Sequence, residues 1–381
     1  MKYKKLVISA VVVIVIIVLL ISRGGTSSSP ESVKIGNILF MTGPLASLGE
    51  QELNGMKLAE TQINKTGGIN GRKLELVTED YAGDSKQAVS AFEKLKNEGV
   101  RFILIDGGAA IGPVGPLVRS NSDVMSMVPI GITHSYFDDN PRTCRLAFTA
   151  RDYGATIGMY LKNTFNRPRI AFLVSANEYG KAAMTQVSMA VTEMGGSIIL
   201  GETYEQGVSD FRTQITKLKE KQSDIDALVV INATNSIEPM LMQLKQLGFS
   251  KPIVSDMFSI VNASLKDRSL AEGVVFIDYP FVADPHDSDS VELASFKREY
   301  FAAYGKYPVA AAVVGYDAVM TLAVAMKHSA GLTAQEVSTY LTTRLGEYKG
   351  VSGTFSFDSD CEVKRETVMR KVVDGEFVTV R

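Results

Sequence analysis

The sequence predicts an α/β protein of two lobes, each a mostly parallel sheet covered by helices. Three observations carry this. The chain has 381 residues, too long for one ordinary domain and suited to two of about 150–175 residues. Short apolar runs alternate with helix-period segments, the pattern of β-α-β units. That alternation runs once up to about Ala150 and then starts again.

The N-terminal end reads as a membrane device. Residues 6–21 are apolar except for Ser9, Lys2, Lys4 and Lys5 precede them, and Ser22-Arg23 closes the run. GGTSSSP (24–30) then forms a Gly/Ser linker. The basic flank stays cytoplasmic, which places the rest outside. A cleaved signal peptide ends in a small-x-small site. No convincing site follows here, and no cysteine is available for lipid attachment. Residues 1–32 are therefore expected to be an uncleaved anchor plus linker, with a cleaved signal as the alternative.

In the body, VKIGNILF (33–40) reads as a buried strand. A helix is expected near 52–63, with Met56, Ala59 and Ile63 on one face, ending at Gly67-Gly68. RKLELVTED (72–80) alternates as a strand does, and Asp84-x-x-Gln87 opens the next helix in capping-box spacing. VRFILID (100–106) and VMSMV (124–128) are the third and fourth strands. The second series holds strands RIAFLVS (169–175), SIILGE (197–202), IDALVVI (225–231), PIVS (252–255) and GVVFID (273–278), with helices between them. Helices then dominate at 289–303, 309–328 and 333–344. GTFSFD (353–358) and 368–380 read as short strands, with Asp374-Gly375 a hairpin turn. Extra helices at the end mean that the chain crosses between lobes more than once.

Composition narrows the function. Forty Lys+Arg against 42 Asp+Glu give a net charge of −2, without the basic excess of a nucleic-acid binder. Two cysteines and three scattered histidines, His134, His286 and His328, do not make a zinc site of usual spacing. No G-x-S-x-G, Walker-type or H-E-x-x-H motif occurs. An enzyme is not expected, and no cofactor or metal is implied. The loop Asp106-Gly107-Gly108-Ala109-Ala110-Ile111-Gly112-Pro113 follows the third strand and opens a helix. Small residues there let backbone N–H groups approach an anion at the helix N-terminus, and Pro113 and Pro116 suit a first turn.

Three segments together resemble one family: IGNILFMTGPLASLG (35–49), NGMKLAETQINKTGGINGRKLELVTEDYAGDSKQAV (54–89) and NEYG (177–180). They are similar to type I periplasmic solute-binding proteins of the leucine/isoleucine/valine-binding branch, over nearly all of 33–381. The resemblance implies two doubly wound parallel-sheet lobes joined by three hinge crossings, near 148–151, 275–279 and 350–357. Lobe I would be 33–148 plus 279–352, and lobe II 149–278 plus 353–381. It implies a small-molecule ligand held between the lobes, an ABC importer permease as partner, and a monomer.

Carried onto this chain, the family's cleft falls on Leu48, Ala109, Ala110, Ile130, Gly131, Thr133, Tyr179, Asn232, Thr234, Asp256 and Phe258. Two departures stand out. The loop that offers hydroxyls to a ligand carboxylate in amino-acid-binding relatives carries Ala109 and Ala110 here. The place of the acid that meets the ligand ammonium is closest to Phe258; Asp256 either substitutes for that acid or caps a helix. The expected ligand is thus less charged or more apolar than a zwitterionic amino acid. The positions of a disulfide known in some relatives are Gly83 and Gly108. Cys144 and Cys361 lie near the implied crossings and are expected as two reduced, buried thiols, with a bridge as the alternative.

Overall fold

In the computed structural model the described residues are 31–43, 45–131, 140, 142–205, 207–232, 236–261, 265, 267–281 and 289–380. The expected anchor, 1–32, lies outside them but for its last two residues. The first β-α series comprises β1 (Val33–Leu39), α1 (Ala46–Lys65), β2 (Leu74–Asp80), α2 (Ser85–Asn97), β3 (Phe102–Ile105), α3 (Gly108–Ser120), β4 (Met125–Val128) and β5 (Thr143–Arg145). The second comprises α4 (Ala150–Phe165), β6 (Arg169–Ser175), α5 (Glu178–Glu193), β7 (Ser197–Tyr204), α6 (Arg212–Glu220), β8 (Ala227–Ile231), α7 (Ile237–Gln246), β9 (Ile253–Asp256), α8 (Met257–Ile260) and β10 (Val275–Asp278). The chain ends with α9 (Val291–Tyr304), α10 (Ala310–Lys327), α11 (Ala334–Thr343), β11 (Tyr348–Gly350), β12 (Gly353–Phe357), β13 (Val363–Arg365), β14 (Val368–Val373) and β15 (Glu376–Val380).

Among the described residues these strands form three sheets. The first is parallel, in the order β2-β1-β3-β4-β5. The second has seven strands, β15-β14-β10-β9-β8-β6-β7. Its five strands β6 to β10 repeat the winding of the first sheet in parallel register, and the hairpin β14–β15 adds antiparallel to β10. Both sheets are doubly wound, with strand order reversing between β1 and β3 and between β6 and β8. The β3 and β8 strands are buried along their whole length, as expected of central parallel strands covered on both faces.

The tail divides by sheet membership. β14 and β15 join the second sheet, whereas β11-β12-β13 make a third, antiparallel sheet. The turn before β13 is fastened to β5 of the first sheet. Cys144 bonds to Cys361 across a sequence separation of 217. Arg145 N–H donates to the Cys361 carbonyl at 3.0 Å, and the fully buried Arg145 pairs with Glu362 at 3.2 Å. The expectation of two reduced thiols is thereby corrected. The pairing β4–β5 and the β12–β13 turn bring the cysteines' Cα atoms to 4.6 Å, inside bonding reach. Their separation in sequence concealed this.

The C-terminal helices return to the first sheet's side. Helix α10 is a core helix buried around most of its circumference, and apart from Asp317 and Thr321 its buried side chains are nearly all apolar, Ala310, Val313, Val314, Ala318 and Leu322 among them. It crosses α1 closely at Gly55, where a Cβ would stand 1.9 Å from the Ala312 carbonyl oxygen. Only glycine permits that crossing.

Helix α3 starts earlier than the loop reading implies. It begins at Gly108, so Pro113 and Pro116 sit inside it and not in a first turn. A proline removes the bond to the carbonyl four residues back. The carbonyl freed by Pro113 is that of Ala109, and the Ser85 hydroxyl donates to it at 2.9 Å. The helix persists because Ile111, Val114 and Val118 are buried against the sheet.

Candidate functional site

A cavity of about 330 Å³ lies where the carboxyl ends of the two parallel sheets face each other. From the first sheet, Phe40 follows β1, Tyr81 follows β2, Gly107, Gly108 and Ala109 follow β3, and Ile130 and Gly131 follow β4. Leu45 and Leu48 at the start of α1 complete that side. From the second sheet, Asn177, Glu178 and Tyr179 follow β6, and Phe258 follows β9. Ligands in doubly wound folds sit in this crevice, outside the strand ends at the point where strand order reverses.

The structure brings six of the expected residues together on the cavity wall: Leu48, Ala109, Ile130, Gly131, Tyr179 and Phe258. Ala110 is turned away. One helical step past Ala109, it is fully buried against the sheet, and its N–H donates to the Gly107 carbonyl. Asn232 is fully buried, with its backbone bonded in both directions to the Ser259 hydroxyl. Asp256 lies behind the wall as the cap of α8, taking Ser259 N–H and Ser259 Oγ at 2.9 Å each. Of the two readings left open for Asp256, the cap is the one observed. Thr133 and Thr234 lie outside the described residues.

Sequence reasoning missed Phe40, Leu45, Tyr81, Gly83, Asn177 and Glu178 as wall residues. Phe40 and Tyr81 each follow a strand directly, and the strand-end rule applied to every strand would have found them.

Two buried clusters hold the wall in place. On the second sheet, Tyr153 and Tyr179 hydroxyls are 2.8 Å apart, and Tyr179 also hydrogen-bonds to Asp256. Burial pushes the Asp256 carboxyl up to about 6, against the lowering pull of bonds from Ser259 and Tyr179. The Tyr179 hydroxyl is thus engaged behind the wall by Tyr153 and Asp256. What Tyr179 offers the cavity is its ring, edge-to-face with Phe258 at 6.0 Å between centroids.

On the first sheet the centre is Asp106. It accepts Ile130 N–H at 2.8 Å, and its own carbonyl accepts the Tyr81 hydroxyl at 2.8 Å. Its carboxyl meets that of Glu52, from α1, with both residues fully buried. Burial, and then repulsion by Asp106, holds Glu52 well above the usual carboxylate range, while burial lifts Asp106 to about 6. The pair therefore holds one proton between them, since two bare carboxylates cannot share such a site. Gly107 completes the arrangement at φ 79°, where a Cβ would come 2.5 Å from the Tyr81 hydroxyl. Gly108 and Ala109 are the first residues of α3, so their N–H groups have no acceptor within the helix, and both residues line the cavity.

These raised carboxyls set the sign of the pH dependence. A group whose pKa is higher folded than unfolded binds more protons in the folded state, so its contribution is lost as pH rises through the folded value. Asp106 and Asp256 (about 6) and Asp278 (about 7) all act in this sense. The melting temperature should fall between about pH 4 and about pH 7 and level off above that. Glu52→Gln, which keeps a donor for Asp106, should flatten that slope. Melts of equal midpoint across the range would overturn the shared-proton assignment.

Among the described wall residues Glu178 is the one charged side chain, and it is exposed. Apart from the Asn177 amide, whose oxygen caps α5 by accepting Gly180 N–H, the described wall is mostly apolar side chains and glycine backbone, suited to holding a compact apolar body and to hydrogen-bonding an anionic or carbonyl oxygen.

The fold and this crevice define a bilobal solute-binding protein. The model of the family described as "Periplasmic binding protein" matches residues 32–376, and the chain belongs to that family, in its type I branch with the branched-chain amino acid binders. It is 26% identical over 335 residues to Leu/Ile/Val-binding protein homolog 1 of Brucella abortus (strain 2308), covering 87% of this chain and 88% of the relative. It is 25% identical to the leucine-, isoleucine-, valine-, threonine- and alanine-binding protein of Pseudomonas aeruginosa, covering 89% of each. Among solved structures, the substrate-binding protein LivJ of Streptococcus pneumoniae in complex with isoleucine superposes with a TM-score of 0.78 at 24% identity, covering 92% of this chain and 99% of that one. A solute-binding protein of R. palustris in complex with benzoate gives 0.79 at 16% identity, covering 92% and 95%. The chain is accordingly of the ABC-transporter solute-binding type, and the members of the family are binding proteins and not enzymes.

Proposed function

We propose that this protein captures a small carboxylic acid or amide with an aliphatic or aromatic body and hands it to the permease of an ABC importer. Lobes of 33–148 plus 279–352 and 149–278 plus 353–381 close on the ligand, the body standing outside the membrane on the N-terminal anchor. The observation that carries this is the wall itself. Leu48, Ile130, Tyr179 and Phe258 give apolar faces, the Gly108 and Ala109 N–H groups give an oxygen site, and among the described residues the wall holds no buried acid to meet an ammonium. Burying that cation without a partner is costly, which argues against a zwitterionic amino acid. The fold is compatible with both kinds of guest, since one structural neighbour holds isoleucine and another benzoate.

A thermal-shift screen of benzoate, aliphatic acids, amides and leucine tests the reading. A ligand at about 1,000 times its Kd should add about 4 kcal/mol of apparent stability. Tyr179→Phe should leave its affinity within about threefold, because the ring and not the hydroxyl makes the contact, whereas Tyr179→Ala should cost about 1–2 kcal/mol. Tight leucine or valine binding by calorimetry would refute the ligand class. A flat response throughout would favour a ligand-free interaction module of the cell envelope.

A further inference from the structure

We infer that Arg365 is a positioning residue that couples the three inter-lobe segments, so that they bend together when the lobes move. The inference rests on the two-lobe closure proposed above. Arg365 ends β13, and its guanidinium reaches all three segments at once. In its plane it donates to the Leu146 carbonyl at 3.0 Å and to the Ser352 carbonyl and hydroxyl at 2.8 Å each. Its face lies 4.3 Å from the Tyr279 ring centroid, with Phe148 at 5.5 Å and Phe355 at 5.4 Å. Phe148 and Tyr279 stack on each other at 4.0 Å.

The two kinds of contact fall on opposite sides of the joint. The hydrogen-bond acceptors belong to the first-sheet side. Leu146 directly follows β5, to which the Cys144–Cys361 bond also ties the turn before β13. Ser352 is held by Asp317 of α10, whose carboxylate accepts Val351 N–H at 2.9 Å, Ser352 N–H at 2.8 Å and the Ser352 hydroxyl. Phe355 lies opposite Arg365 in the β12–β13 pair, but the two stacked rings lead into the second sheet: Tyr279 directly follows β10, and Phe148 precedes Thr149, the cap of α4. Hydrogen bonds fix distance and direction, whereas a ring face tolerates sliding under a cation. Arg365 is thus bolted to one lobe and bears on the straps of the other. Lysine keeps the charge but has neither the planar fork nor the flat face.

The test compares the full chain with Arg365→Lys, Arg365→Met and Tyr279→Leu, which removes the bearing face and leaves the hydrogen bonds. Dyes placed through Lys86→Cys and Lys181→Cys, both exposed and on opposite sides of the cavity, read the inter-lobe distance. Hydrogen exchange reads the amides of 146–149, 279–281 and 350–353. Arg365→Lys and Tyr279→Leu should broaden the distance distribution and speed exchange at all three segments at least threefold, with the core strands unchanged. If Arg365→Met fails to fold, the other two variants still decide. Distances and hinge exchange equal to wild type, whatever the melting temperature does, would overturn the assignment. No ligand enters this readout, so a failed ligand screen leaves it intact.

Discussion

Replacing both Cys144 and Cys361 with alanine, or reducing the bond between them, should destabilise the protein by about 3–5 kcal/mol. The bond closes a loop across a sequence separation of 217. In the chain-entropy account the restriction it places on the unfolded ensemble grows with loop length. Part of the native arrangement persists without it, because the Arg145–Cys361 backbone bond and the Arg145–Glu362 pair hold the same two segments together. The loss should therefore appear as a lower melting temperature, on the order of 5–10 °C, with the fold retained. Circular dichroism melts with and without reductant measure it. A midpoint that ignores reductant, with thiol titration showing the bond broken, would refute the prediction. An exported chain is the setting in which such a bond forms.

The second large effect is expected at Asp278 and Arg370, where the chain leaves β10. Arg370 Nε meets Asp278 at 3.1 Å, with side-chain exposures of 5% and 4%, so almost no solvent screens the pair. Arg370 also donates to the Phe281 carbonyl at 2.7 Å and to Thr379 Oγ1 at 3.1 Å. Burial pushes Asp278 up to about 7 in spite of the neighbouring guanidinium. Asp278→Ala leaves a cation buried without its counter-charge and should cost about 3–5 kcal/mol in chemical denaturation. The paired change Asp278→Leu with Arg370→Met should cost much less, since it removes both charges and leaves apolar bulk. A single-variant loss below about 1 kcal/mol would show that the pair is solvated after all.

Much of the framework was legible because it rests on local rules. Apolar runs of four to eight residues located nearly all the parallel strands. Asp84 caps α2, accepting Lys86 and Gln87 N–H at 2.9 Å each, although the box stays half-made because Asp84 N–H donates to the Tyr81 carbonyl and not back to Gln87. Asp374-Gly375 turns the β14–β15 hairpin with both residues at positive φ. Helix α4 escaped, although Thr149-x-x-Asp152 forms a reciprocal capping box. The crossing implied at 148–151 covers its first two residues only, and the rest of the helix follows from that cap. The strands β5, β11 and β13 escaped because three residues carry no period.

The site was legible only where strand ends point. Leu48, Ala109, Ile130, Gly131, Tyr179 and Phe258 reach the wall, while Ala110 and Asp256, one and two residues from wall residues, do not. A single residue's offset on a helix turns a side chain by about 100°, and family spacing does not resolve that.

The sequence alone determined the class of fold, the strand–helix alternation and the family, because hydrophobic period and turn chemistry act over a few residues. Tertiary structure alone decided that Cys144 meets Cys361, that Glu52 shares a proton with Asp106, and that Arg365 touches all three straps. Each of these contacts joins residues far apart in the chain. Their energies arise from burial and direction in three dimensions, which no local pattern encodes.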